Sequence, residues 1–123
     1  MGDIIEELKA MSDLNRLRTL SLLWEAEDLC VCEIETILGM KQSNMSRQLE
    51  RLRTSGFLSS YKQAQWIHFT IAPEHRFENS LLRHILHQAH ESREIFDKDI
   101  VKLRDYRGRG FTCKTISQWI PFE

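Results

Sequence analysis

Gly39 separates two short amphipathic patterns, and that punctuation constrains the fold more than any other feature of the chain. Before it, Val31, Ile34, Ile37 and Leu38 recur at helical spacing and the glycine marks the stop. After it, Gly39-Met40-Lys41-Gln42 reads as a tight turn, with Ser43 as the expected N-cap of a helix that Gly56 ends. Met45, Leu49 and Leu52 then face a core, which leaves Asn44, Ser46, Arg47, Gln48 and Arg51 outward. Two short helices around a glycine-containing turn, the second one polar and basic on its free face, is the pattern of a helix-turn-helix.

The flanks extend this pattern. Ile4, Ile5, Leu8 and Met11 predict a first short helix. Ser12 or Asp13 caps a second, running to about Trp24, whose apolar positions are Leu14, Leu17, Leu20, Leu23 and Trp24. The acidic stretch 25–28 suits the N-terminus of the third helix. Beyond Gly56, residues 57–62 and 66–71 have strand composition and are joined by the polar Gln63-Ala64-Gln65, which predicts a two-stranded wing. Pro73 closes the wing, and a single long helix is expected up to about Tyr106. Its heptad-like seam steps through Leu82, Leu86, Ala89, Arg93, Phe96, Ile100 and Leu103, broken only by Arg93. That apolar length exceeds what a small winged helix covers, so the seam and the first helix are read as a homodimer interface. Gly108 and Gly110 break the pattern, and the aromatic tail 111–123, with Cys113, Trp119 and Phe122, is expected to dock. The fold class expected is mainly α: a winged helix-turn-helix with a two-stranded β wing and a long C-terminal dimerisation helix over residues 1–107, followed by a tail over 108–123.

Charge placement supports a nucleic-acid partner despite a net charge of -1. Residues 1–40 hold nine acidic and three basic side chains, whereas 41–62 hold one acidic and five basic. Lys41, Gln42, Ser43, Asn44, Ser46, Arg47 and Gln48 have the chemistry to reach bases and phosphates, and Lys62, Gln63 and Gln65 stand at the wing tip. A two-fold dimer implies double-stranded, pseudo-palindromic operator DNA. No apolar run approaches a membrane span and residues 1–11 are too acidic for a signal peptide, so the expected compartment is the cytoplasm and no membrane partner is expected.

Two of the three cysteines, Cys30 and Cys32, lie one residue apart where the third helix begins. They are too close for an unstrained disulfide, and in a reducing compartment thiols or thiolates are the working species. In a regular helix, positions i and i+2 point about 200° apart, so joint ligation needs a helix terminus or a distorted turn. A helix N-terminus also favours thiolate.

Asp28-Leu29-Cys30-Val31-Cys32-Glu33 resembles the ELCVCD box of the arsenic-responsive branch of the ArsR/SmtB repressor family. Residues 42–53 resemble that family's recognition helix, and 62–69 its wing. The resemblance implies a homodimeric winged-helix repressor that leaves its operator when a metal or metalloid binds. One departure stands out: where the best-known arsenite sensors of the branch carry a third cysteine, three residues after the second, this chain has Glu35. Cys113 is the remaining thiol and is taken as the third ligand. Three sulfurs satisfy trivalent arsenic in a pyramid, whereas zinc and cadmium generally take four ligands. The expected effector is therefore trivalent arsenic (arsenite, antimonite or a methylarsenite), with no resident cofactor required. A thiol redox sensor or a cadmium, lead or zinc sensor on the same fold is the alternative. His84, His87 and Glu91 share a helix face and are read as solvated. With neither a Cys-x-x-Cys nor a nucleophile beside an evident base, no enzyme activity and no catalytic residue are expected.

Overall fold

The computed structural model describes residues 3–120; Phe122, assigned above to the docking tail, lies outside them. Helix α1 (Ile4–Met11) leads into α2 (Leu14–Ala26), which Asp13 caps by accepting the Arg16 N–H at 3.0 Å. A positive φ of 71° at Glu27 turns the chain out of α2, a conformation that costs a non-glycine residue about 1–3 kcal/mol. It delivers Asp28 and a two-residue strand, β1 (Leu29–Cys30), which runs directly into α3 (Val31–Leu38). Gly39, at φ 70°, provides the left-handed stop that its position in the sequence requires. Helix α4 (Gln42–Thr54) follows, with Met45, Leu49 and Leu52 buried. Its N-cap is Lys41 instead of Ser43, which moves Ser43 into the exposed first turn.

The wing consists of β2 (Leu58–Gln63) and β3 (Trp66–Ile71), paired antiparallel from Leu58↔Ile71 to Gln63↔Trp66. Strand β1 adds to the far edge of β3, with Leu29↔Phe69 and Cys30↔His68, so the sheet is three-stranded in the order β1-β3-β2. The two-stranded wing expected from sequence thus gains a third strand, and that strand carries Cys30.

The expected single long helix is two helices. After a 3-10 turn at Pro73–His75, α5 (Leu81–Ser92) and α6 (Glu94–Gly108) are separated by Arg93, whose backbone is extended at φ -143° and ψ 131°. Both pack on α2, and their seam residues Leu82, Leu86, Ala89, Phe96, Ile100 and Leu103 are all buried within one chain. The seam is therefore intramolecular core and does not supply the dimer face assigned to it above. Three residues of α1, by contrast, remain open: Ile4, Ile5 and Leu8 are 51%, 52% and 42% exposed.

The Arg18 guanidinium ties three elements together. Its Nε and Nη2 each donate to the fully buried Asp99 carboxylate at 2.9 Å, and Nη2 also donates to the Leu38 carbonyl at 3.2 Å. One side chain of α2 thereby fixes α6 and the last turn of α3, next to the Gly39 corner.

Candidate functional site

Cys30 lies outside the helix it introduces. Its φ of -82° and ψ of 164° are extended, and it is the N-cap of α3, while Cys32 occupies the first helical turn. The two side chains therefore converge at the helix terminus: the Cys30 and Cys32 sulfurs are 2.9 Å apart, beyond the about 2.05 Å of a disulfide, and both thiols are free. Cys113 reaches them from the tail. All three sulfurs lie within 4.8 Å of one another, with Cys30 buried and the other two partly so. Glu35, at the position noted above, is not in this group, and its Oε2 is buried with no hydrogen-bond partner among the described residues.

The tail reaches the site through aromatic packing. Tyr106 is stacked on Phe111 at 6.1 Å between centroids and meets the edge of Trp119 at 5.3 Å. Trp119 donates its indole N–H to Asp105 at 2.9 Å, and Ile116 and Trp119 are buried against the core. Sequence reasoning missed the polar partner beneath this packing. Glu33 is buried, its Oε1 accepts the Cys30 N–H at 2.9 Å, and its Oε2 accepts the Tyr106 hydroxyl at 2.6 Å. The Glu33 N–H faces the Cys30 sulfur in return, so Cys30 and Glu33 form a capping box with a thiol in place of the usual hydroxyl. The spacing Cys30-x-x-Glu33 was the available signal.

Burial controls the protonation of the site. Desolvation, followed by the hydrogen bonds to Cys113 and Cys32, pushes the Cys30 thiol far above its usual range against the opposing Glu33 N–H. Cys113 is pushed up to about 11, again chiefly by burial. Burial and then the Glu33 carboxylate hold the Tyr106 phenol well above its ordinary value, so it stays a hydroxyl donor. For Cys30 the thiolate expected at a helix N-terminus loses to desolvation.

The sheet links the thiols to the wing. Cys30 pairs with His68 of β3. Immediately before it, Asp28 accepts the Tyr61 hydroxyl of β2 and bonds His68 Nδ1 at 2.7 Å, with the Tyr61 and His68 rings stacked at 5.0 Å. Arg107 of α6 donates to the carbonyls of Ala26 and Asp28 at 2.8 and 2.6 Å, closing the base of this cluster. None of these long-range partners was read from the sequence.

The residues expected to meet DNA divide by burial. Lys41, Gln42, Ser43, Ser46 and Arg47 are exposed on α4, and Lys62, Gln63 and Gln65 are exposed on the wing. Asn44 and Gln48 are half-buried and bonded to each other at 3.1 Å, and Gln48 also accepts from Arg16 at 3.2 Å. Gln48 thus braces α4 against α2 as well as bordering its outer face. His84, His87 and Glu91 are exposed on α5 and join no cluster of potential metal ligands among the described residues. His90, not singled out from sequence, bonds Ser21 at 2.8 Å and Asp97 at 2.7 Å, bridging α2 and α6 across the break at Arg93.

Comparison with known proteins agrees with this architecture. Residues 13–60 match the family described as bacterial regulatory protein, arsR family. The arsenical resistance operon repressor of Escherichia coli strain K12 is 41% identical over 69 residues, which is 56% of this chain and 59% of that repressor. The match thus spans less than two thirds of that relative's length. Among solved structures, the AntR antimony-specific transcriptional repressor superposes with a TM-score of 0.61 at 27% identity, covering 72% of this chain and 78% of that one. The homodimeric winged helix-turn-helix domain of a possible ArsR-family regulator from Mycobacterium bovis gives a TM-score of 0.62 at 25% identity, covering 72% and 79%. Residues 13–60 thus resemble the bacterial arsR regulatory family on a winged helix-turn-helix fold, with the Cys30-Val31-Cys32 segment inside the matched region.

Proposed function

We propose that this chain is a homodimeric, operator-binding transcriptional repressor that senses trivalent arsenic through Cys30, Cys32 and Cys113 and releases DNA on binding. The observation that carries this reading is the meeting of three thiols, from the end of β1, the first turn of α3 and the tail, within 4.8 Å. Arsenous acid consumes three thiols and expels three waters, As(OH)3 + 3 RSH → As(SR)3 + 3 H2O, and the product has the three-coordinate pyramid that the donor set offers. Relatives named for arsenical resistance and a neighbour named for antimony support the effector class.

The fold supplies routes from this site to DNA. Drawing the sulfurs around one atom pulls on Cys30, whose strand pairs with β3, and on α3, which packs on α4. Wing and recognition helix are thus both addressed. The exposed Ile4, Ile5 and Leu8 of α1 supply the apolar face for a second copy, and operator binding places the protein in the cytoplasm. No helix among the described residues is long and apolar enough to cross a membrane.

The test is a metalloid titration of the operator complex with the wild type and each Cys→Ser variant. Each substitution is expected to weaken arsenite-driven release by about 100-fold while operator affinity without arsenite is retained. Arsenite response indifferent to Cys113→Ser would remove the tail from the ligand set. Release by peroxide with no metalloid present would favour a thiol redox sensor instead.

On the DNA side, Arg47→Ala is expected to weaken operator binding by about 1–3 kcal/mol and reduce the salt dependence of binding, with arsenite affinity retained. Filter binding or anisotropy at several salt concentrations reads both quantities, and an unchanged salt slope takes Arg47 out of the contact set.

A further inference from the structure

The sulfur cluster has a carboxylate at its edge that two hydrogen bonds hold in place. Glu33 is buried three residues after Cys30, and its N–H caps the Cys30 sulfur. Its Oε1 is engaged by the Cys30 N–H at 2.9 Å and its Oε2 by the Tyr106 hydroxyl at 2.6 Å. Tyr106 is itself clamped by Phe111 and Trp119 and is fully buried, so its hydroxyl has little freedom to leave.

A buried carboxylate next to the thiols matters because soft divalent ions and trivalent metalloids differ in coordination number. Cadmium and zinc complete a tetrahedron with a fourth donor, and carboxylate oxygen serves as one. Trivalent arsenic and antimony are complete with three sulfurs and gain nothing from a fourth.

We propose that Tyr106 determines the metal specificity of the thiol site by holding Glu33 Oε2, which keeps this buried carboxylate from serving as a fourth donor and leaves a three-sulfur set suited to a trivalent metalloid. The inference rests on the three-thiol reading above. It assigns Tyr106 a role outside the ligand set: the phenol never touches the ion, and it acts through Glu33.

The experiment is a paired titration of the full chain with cadmium(II), followed by thiolate-to-metal charge-transfer absorbance against a competing chelator, and with arsenite. Tyr106→Phe keeps the ring between Phe111 and Trp119 and removes only the hydroxyl. It is expected to raise the ratio of cadmium to arsenite affinity by about tenfold or more, the range in which partners of metal ligands act. Adding Glu33→Gln to Tyr106→Phe is expected to cancel that gain, because an amide oxygen is a poor donor to a soft ion. The single variant Glu33→Gln can keep both hydrogen bonds and provides a second test independent of Tyr106→Phe folding: the ratio should stay within about threefold of wild type.

Three results would overturn the proposal. They are an unchanged ratio in Tyr106→Phe, a gain that survives Glu33→Gln but is removed by Glu35→Gln, and a tenfold fall in cadmium affinity in Glu33→Gln alone, which would mean that Glu33 already ligates in the wild type. Failure of the underlying three-thiol reading shows separately, as arsenite affinity insensitive to Cys113→Ser.

Discussion

Asp99→Ala is expected to destabilise the protein by about 3–5 kcal/mol, a large part of the roughly 5–15 kcal/mol that holds a domain of this kind together. Asp99 is fully buried and receives two Arg18 donors at 2.9 Å, so truncating it strands a guanidinium that is itself largely enclosed. The loss comes from the uncompensated charge more than from the pair as such. Arg18→Met combined with Asp99→Leu should therefore recover most of it. Denaturant unfolding at fixed protein concentration measures both, the concentration being held because self-association would shift the apparent stability. A loss below about 1 kcal/mol for Asp99→Ala would show that water reaches Arg18 and that the pair behaves as a surface contact. The functional consequence follows from the third Arg18 bond, to the Leu38 carbonyl at 3.2 Å. Loosening it frees the last turn of α3 beside Gly39, so Asp99→Ala should weaken operator binding even at temperatures where the chain is still folded.

The parts of this fold that could be read from sequence are those whose cause is local. Gly39 stops a helix because its φ is positive, Asp13 caps one through its own carboxylate, and α4 declares its buried face by the spacing of Met45, Leu49 and Leu52. The break at Arg93 has no such local cause. It carries neither proline nor glycine, and its mark in the sequence is the charged Arg93 at an otherwise apolar seam position. What breaks the helix is that α2 offers one surface to both segments, with His90 bonded to Ser21 and Asp97 across the junction. The same misreading assigned a buried intramolecular seam to a dimer face. Cys113 was reached in sequence as the remaining thiol, and the structure brings it to Cys30 and Cys32 by packing Tyr106, Phe111 and Trp119. The strand pairing Cys30↔His68 and the Asp28 cluster are contacts across some forty residues, which periodicity does not report. Glu33 is the exception: its capping role was written in the spacing and was overlooked because the N-cap is a cysteine.

Cadmium(II) affinity for the thiol site is expected to rise about 100-fold per pH unit across neutral pH, while arsenite affinity stays nearly flat. The difference follows from where the protons go. Burial raises both Cys30 and Cys113, the latter to about 11, so at neutral pH both are thiols in the free protein. A divalent ion binds sulfur as thiolate and must expel one proton from each, and two protons released make the affinity climb with pH and collapse as pH falls. Arsenous acid brings three hydroxides of its own, which leave with the thiol protons as water, so no net proton crosses to solvent. A resting thiol site thus discriminates against divalent cations before coordination number is considered, and more strongly in acid. Calorimetric titration at pH 6, 7 and 8 in buffers of different ionisation enthalpy counts the protons directly. Two or more protons released by cadmium(II) and none by arsenite is the expected result. Arsenite consuming protons as it binds would mean that the cysteines rest as thiolates, and the discrimination would then have to come from the donor set alone.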